Sequence, residues 1–291
     1  MQGRIIKGIA GFYYIYADDS RIYECKAKGS FRHDRLKPMV GDLVNIDVVN
    51  EAEGLGNISD IFKRKNELIR PAVANVDQAL MVFALVHPKP NLCLLDKLML
   101  QFKIQNLPTI ICFNKEDLVD ENETERIREI YKNSGCRIIF TCAKHNAGIS
   151  DLKELLQGRT TCVAGPSGVG KSSLVNCLQN DVVVETGNIS KKTERGKHTT
   201  RHSEIIPIEK DTFIVDTPGF SSFDVLIKDY ENLKDYYEEF YDYLDCRFLP
   251  CSHTHEPGCN VKDAVQKGII SKERYDNYVL LYEELKNNRR Y

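Results

Sequence analysis

The chain opens on short apolar stretches that alternate with polar residues and are broken by glycine and charged turns. Between Gly3 and about Lys65 the runs Gly11 to Tyr16, Arg21 to Lys26 and Asp42 to Val49 read as strands, and no convincing helix interrupts them. Short strands with this punctuation predict a small antiparallel β-barrel of the oligonucleotide-binding (OB) type.

The pattern changes after Arg70-Pro71. Val76 to Val86 is almost continuously apolar, as expected of a parallel strand covered on both faces. Asn91 to Asn106 then places Leu95, Leu98 and Phe102 at helical spacing, with Leu94 and Met99 widening the stripe. Thr109 to Phe113 predicts the next buried strand, Glu121 to Asn133 a second helix, Arg137 to Phe140 a strand, Ile149 to Leu156 a short helix and Thr160 to Ala164 another strand. This βαβαβ order predicts a parallel α/β sheet, which continues through a helix from Ser172 to Leu178 and a strand from Thr212 to Val215.

Past Asp224 the chain is tyrosine-rich and predicted helical, and it runs through a cysteine and histidine cluster into terminal helices around Ser271 to Lys286. Three domains are therefore expected. They are an OB-like barrel over 1–66, an α/β nucleotide-binding domain over 67–223 and a mostly helical, metal-fixed domain over 224–291.

Composition narrows the function class. The 291 residues are 42% hydrophobic and 28% charged, with no apolar run of membrane-spanning length and no signal-peptide pattern, so a cytoplasmic protein without membrane contact is expected. A formal net charge of -2 gives no global nucleic-acid signature, so any such contact rests on local patches. Arg4, Lys7, Lys26, Lys28, Arg32, Arg35 and Lys37 offer one on the barrel.

Four motifs end predicted strands. GPSGVGKS, Gly165 to Ser172, follows an apolar strand and opens a helix, the context of a phosphate-binding loop. Gly165, Ser167, Gly168, Val169 and Gly170 present backbone N–H groups to phosphates, with Pro166, which has none, in the same loop and Ser173 at the start of the helix. Lys171 is expected to reach the β- and γ-phosphates and Ser172 to ligate Mg²⁺. DTPG supplies Asp216 for Mg²⁺ through water and the Gly219 N–H for the γ-phosphate.

NKED at Asn114 to Asp117 supplies the base reader. The Asp117 carboxylate accepts from the guanine N1–H and exocyclic amine, and adenine lacks that donor pair. Asn114 and Lys115 brace the loop. In TCAK, Thr141 to Lys144, the Ala143 N–H is placed for the guanine carbonyl and Lys144 beside the ring, with Thr141 and Cys142 in the same loop. NKED and TCAK precede the phosphate loop, whereas in ordinary small GTPases they follow it. The order therefore predicts a circularly permuted GTPase, a rearrangement that surface connections tolerate.

Phe220 follows DTPG where many small GTPases carry a water-positioning glutamine, so the catalytic water needs another partner. The basic tract Asn188 to Arg201 contains Gly196 to Arg201, GKHTTR, which includes Lys197 and is preceded by Lys191, Lys192 and Arg195. His198 is the candidate to orient water or act as a general base, and Thr199 or Thr200 to ligate Mg²⁺, with Thr200 favoured by its place in the motif.

Cys246, Cys251 and Cys259 with His253 or His255 provide a set of three thiolates and one imidazole suited to closed, structural Zn²⁺. Cys25, Cys93, Cys112, Cys136, Cys142, Cys162 and Cys177 read as buried free thiols. Lys262, Lys267, Lys272, Arg274, Arg289 and Arg290 flank the cluster as candidate phosphate contacts.

By these motifs, over nearly its whole length, the chain resembles the circularly permuted GTPases required for maturation of the bacterial small ribosomal subunit. The resemblance implies GTP hydrolysis stimulated by that subunit, with the barrel and zinc module contacting ribosomal RNA. It assigns His253 as the fourth zinc ligand and supports His198 in catalysis with Lys171 and Thr200. GTP and GDP, Mg²⁺, Zn²⁺, the small subunit and its rRNA are the implied ligands and partners, for a monomer. A noncatalytic guanine-nucleotide-dependent scaffold is the alternative. An ATP-dependent enzyme is opposed by Asp117.

Overall fold

The structure, a computed structural model, describes residues 1–27, 37–69, 71–179, 203–216 and 230–288. Residue contacts divide the chain into two compact units. One is Met1–Gln78, Asp151–Val163 and Val175–Gly219, and the other is Ala79–Ser150, Ala164–Leu174 and Phe220–Tyr291.

The first unit contains the expected barrel, formed by β1 (Gln2–Ile9), β2 (Phe12–Ala17), β3 (Ile22–Ala27), β4 (Leu43–Asn50) and β5 (Leu55–Ile61) in the closed order β1-β2-β3-β5-β4. Alternate residues Ile5, Ile15, Tyr23, Cys25, Val44, Ile46 and Ile58 point inward and form its core. The barrel is not wholly antiparallel. β5 hairpins back from β4 and therefore runs parallel to β3. Strand β1 carries two adjacent isoleucines rather than an alternating pattern, and a register shift between Ile5 and Lys7 accounts for the burial of both Ile5 and Ile6. A two-residue pair, β6 (Glu67–Leu68) with β7 (Val73–Ala74), follows the barrel.

The remaining strands are β8 (Gln78–Ala84), β9 (Thr109–Asn114), β10 (Arg137–Thr141), β11 (Thr160–Ala164), β12 (Glu204–Glu209) and β13 (Thr212–Asp216). They make a six-stranded sheet in the order β10-β9-β8-β11-β13-β12. β8, β9 and β10 are parallel to one another, as are β11 and β13, and β12 is antiparallel to β13. Every residue of β8 is buried, as its unbroken apolar run predicts. Antiparallel β12 was absent from the predicted elements because Pro207 and flanking charges dilute its pattern.

The helices are α1 (Leu92–Ile104), α2 (Glu121–Tyr131), α3 (Ile149–Leu156), α4 (Lys171–Gln179), α5 (Asn260–Gln266) and α6 (Lys272–Asn288). Asn91 caps α1 by accepting from the Leu94 N–H at 3.0 Å, and Asp120 caps α2 by accepting from the Glu123 N–H at 2.9 Å. The stretch expected as helix past Asp224 forms two 3₁₀ segments, Tyr230–Tyr236 and Glu238–Tyr243, among the described residues. Tyr237 between them is extended, which turns its ring into a core with Phe240 and Tyr278, so burial overrides helical continuation.

That core also takes in Leu100 of α1 and Leu281 of α6. Beside it lies a buried ionic cluster. Arg274 Nη1 is 2.5 Å from Asp96 Oδ1 and its Nε is 2.7 Å from Glu239 Oε1, while Asn277 and Tyr131 donate to Asp96. Burial alone would lower the Arg274 pKa. Asp96 and Glu239 more than offset it, and the guanidinium stays charged. Arg274, expected on the surface, is thus an internal cation and no candidate phosphate contact. Among the described residues no helix is long and apolar enough to cross a membrane.

Candidate functional site

In the second unit, β9 delivers Asn114 to its C-terminal end with the side chain buried. Its Nδ2 donates to the Val169 carbonyl at 2.9 Å, and its Oδ1 accepts from the Ala143 N–H at 3.2 Å and from Thr141 Oγ1 at 3.3 Å. One amide therefore links NKED, TCAK and the phosphate loop. The Ala143 N–H, expected against a guanine carbonyl, bonds to Asn114 Oδ1 in this structure.

Lys115 adopts φ 67 and donates from Nζ to the Gly168 carbonyl at 2.9 Å and to the His87 carbonyl. It thereby braces the phosphate loop from the base side. Asp117 follows in a short 3₁₀ turn. Its Oδ1 accepts from Cys142 Sγ at 2.9 Å, and its Oδ2 lies 3.8 Å from His145 Nε2. The Cys142 bond, helped by a backbone bond and by neighbouring His145 and Lys144, outweighs desolvation and holds the Asp117 carboxyl below the usual carboxylate range. Lys144 is exposed at the rim.

The phosphate loop needs glycine at two close approaches. Gly165 has φ +140 and a Cβ there would meet the Val82 carbonyl oxygen at 2.0 Å, while at Gly170, φ +95, it would meet Asn114 Nδ2 at 2.3 Å. Lys171 opens α4 and folds back, donating to the Gly165 and Pro166 carbonyls at 2.8 and 2.6 Å. Ser172 and Ser173 are exposed in the first turn, where unpaired N–H groups and the helix dipole favour an anion. Val169 is buried, and Pro166 and Ser167 lie toward the surface.

In the other unit, β13 ends on half-buried Asp216, which pairs in register with Val163. Gly219 and Phe220 lie outside the described residues, as does Asn188 to Arg201 with His198, Thr199 and Thr200. Lys28, Arg32, Arg35, Arg289 and Arg290 are likewise outside them.

The second grouping is Cys246, Cys251, His253 and Cys259, all buried, with ligand atoms within 4.8 Å of one another. His253 Nδ1 lies 3.5 Å from Cys246 Sγ and 3.4 Å from Cys259 Sγ, and the two sulfurs are 3.9 Å apart. Tetrahedral zinc with Zn–S of about 2.3 Å and Zn–N of about 2.0 Å requires edges of roughly 3.5 to 3.8 Å, so the donor set fits. Without a cation, burial pushes the Cys251 thiol up to about 12 and the His253 imidazole down to about 4. A bound dication reverses the penalty on the thiolates. His255 is exposed, 3.5 Å from Glu283, and stands outside this set.

Of the seven cysteines expected as buried thiols, Cys25, Cys112, Cys142 and Cys162 are buried, whereas Cys93, Cys136 and Cys177 are only half-buried. Three features near the two sites were not read from sequence. These are His145 beside Asp117, the Asp96 and Arg274 pair, and Glu256 within the cysteine loop. Only Glu256 carried a local signal, an acid inside a proline- and glycine-containing metal loop.

A strand, phosphate loop and helix wired through Asn114 to base-reading loops that come earlier in the chain define a circularly permuted GTPase. The sequence profile of the RsgA GTPase matches residues 61–226 and that of the RsgA N-terminal domain residues 2–55, and the chain belongs to the RsgA family of GTPases. It is 54% identical to the small ribosomal subunit biogenesis GTPase RsgA of Agathobacter rectalis, with 100% of both chains covered. Against the protein of that name from Alkaliphilus metalliredigens it is 46% identical, covering 100% of this chain and 99% of the other. Among solved structures, YjeQ from Thermotoga maritima superposes with TM-score 0.80 at 34% identity over 98% of each chain. YloQ, a circularly permuted GTPase, does so with TM-score 0.77 at 33% identity over 99% of this chain and 95% of the other.

Proposed function

We propose that this chain hydrolyses GTP as a checkpoint in late maturation of the small ribosomal subunit, binding the immature particle in its GTP state and leaving after hydrolysis. The observation that carries the nucleotide reading is the Asn114 amide shared by the base loops and the phosphate loop. The relatives named as small ribosomal subunit biogenesis GTPases, matched end to end, support the partner. We assign ribosomal RNA to the barrel and zinc module, and a cytoplasmic monomer to the whole.

Asp117 reads guanine. Asn114, Lys115, Thr141, Cys142, Ala143 and Lys144 build its pocket. Lys171 leaves the Gly165 and Pro166 carbonyls to meet the β- and γ-phosphates, whose charge is also met by the loop N–H groups from Gly165 to Ser173. Mg²⁺, when bound with the nucleotide, neutralises phosphate charge, and the hydroxyls of Ser172 and Thr200 with the Asp216 carboxylate are hard oxygen donors suited to it. Thr199 and the Gly219 N–H are assigned to the γ-phosphate. His198 orients the attacking water. The water oxygen bonds to the γ-phosphorus as the bond to the β,γ-bridging oxygen breaks, giving GDP and inorganic phosphate.

Contact of a small-subunit surface with Lys191, Lys192, Arg195 and Lys197 beside His198 is the source of the stimulated hydrolysis. GTP turnover measured with and without purified small subunits, for wild type and His198→Ala, is the test. Stimulated multiple turnover that is lost in the variant is expected. Nucleotide-dependent binding to subunits without stimulated turnover would identify a scaffold instead.

A further inference from the structure

A histidine that ligates zinc is ordinarily oriented by a hydrogen bond on its other ring nitrogen. In this chain His253 turns Nδ1 toward the sulfurs, and its buried Nε2 has no partner among the described residues. The ring packs edge-on against Phe240, with centroids 6.1 Å apart. Its orientation has to come from the backbone, and that backbone is unusual, with His253 at φ 59 in the left-handed region.

The residues around His253 converge on one carboxylate. Glu256 Oε1 accepts from the Ser252 N–H at 2.8 Å and from Ser252 Oγ at 2.7 Å, and its Oε2 accepts from the N–H groups of Thr254 and His255 at 3.1 and 3.2 Å. Both oxygens are used, and the donors lie on either side of His253. Tyr275 adds a hydroxyl bond to the His253 carbonyl at 2.9 Å, and Tyr278 one to the Ser252 carbonyl at 2.7 Å. The tyrosines hold the loop to α6, whereas the carboxylate fixes its internal curvature.

We propose that Glu256 is a positioning residue of the zinc site, its carboxylate setting the strained turn that aims His253 Nδ1 at the three thiolates. Among the described residues the Glu256 carboxylate bonds to Ser252, Thr254 and His255 and not to a ligand atom. It acts through the main chain, in place of the usual bond to the imidazole.

Glu256→Gln keeps the side-chain shape but replaces one acceptor oxygen with an NH2 group that faces two N–H donors. Zinc content of the full-length wild-type chain is measured first, so that absence of the metal is distinguished from failure of the positioning role. Competition with a chromophoric chelator should then show zinc held about 10- to 100-fold more weakly by the variant. After cobalt substitution, the visible ligand-field bands should move as His253 is displaced from its place beside the three sulfurs. Zinc affinity equal to wild type, or a lowered affinity with an unchanged cobalt spectrum, overturns the assignment. Should Glu256→Gln fail to fold, Ser252→Ala decides the matter. It deletes one donor and keeps the carboxylate, so weaker zinc binding is expected and wild-type affinity overturns the proposal.

Discussion

Asn114 Nδ2 lies 2.9 Å from the carbonyl oxygen of Val169, across 55 residues of chain. The base-reading loop and the phosphate loop thus share one side chain, although the permuted order puts the base reader first.

Asn114→Ala removes the donor to Val169 and the acceptor for the Ala143 N–H in a buried setting. The loss is about 1–3 kcal/mol, or roughly 5- to 150-fold in GDP affinity. Gly170→Ala should be at least as damaging, because its Cβ would meet Asn114 Nδ2 at 2.3 Å in a backbone conformation that side chains disfavour. Titration with a fluorescent GDP analogue measures both. Wild-type affinity in Asn114→Ala would mean that the shared amide does not hold the pocket together.

Asp117 is held below the usual carboxylate range, first by the Cys142 bond. A depressed pKa keeps the charged form as the medium acidifies, and guanine recognition requires that form. GDP affinity should therefore stay flat with respect to Asp117 from neutral pH down to about 4, near where an ordinary aspartate titrates, and fall below that. Asp117→Asn replaces one acceptor with a donor. The GTP preference over ATP should shrink by about two orders of magnitude or more, while xanthine nucleotides, which carry a carbonyl at C2, should gain. Calorimetric titration with the three nucleotides decides this, and an undiminished guanine preference in the variant would remove Asp117 from the role.

The loops that meet at Asn114 were legible because their residue patterns are local in sequence. Each loop follows an apolar strand, and glycine, lysine, asparagine or aspartate stands where the backbone or base demands it. The barrel was legible as a class, but not in β1 or its parallel β3 and β5 pair, because a register shift and strand closure are long-range outcomes. Of the zinc site the ligands could be read, but the choice of His253 over His255 needed the resemblance, since both histidines fit the spacing. Asp96 and Arg274 were invisible for a different reason. Their partnership spans 178 residues, and a lone arginine on an amphipathic helix reads as solvated until its partner is placed.

Removing zinc should be felt well beyond its four ligands. Tyr275 and Tyr278 of α6 bond to carbonyls inside the metal loop, and Tyr278 packs against Tyr237 and Phe240. Dialysis against a strong chelator should extract one zinc per chain and abolish the near-ultraviolet dichroism of these tyrosines, and acid should do likewise as the thiolates take up protons. Retention of the aromatic signal after complete removal of zinc would show that the apolar core alone fixes this region.

Arg274→Met leaves Asp96 and Glu239 buried without their cation, which should destabilise the chain by about 3–5 kcal/mol. The penalty has a pH signature. Desolvation already raises the folded pKa of Asp96 against the opposing effect of Arg274, so losing the guanidinium raises it further, and protonation then favours the folded state of the variant. The stability gap between variant and wild type should therefore narrow as pH falls from 7 toward 5. Arg274→Met combined with Asp96→Asn should recover part of the loss at pH 7, because the buried charge is removed together with its partner. Chemical denaturation of the four proteins in this double-mutant cycle at pH 7 and pH 5 measures both effects. A gap independent of pH, with additive losses in the double variant, would show that Arg274 contributes by packing on Tyr237 and Tyr131 rather than through Asp96.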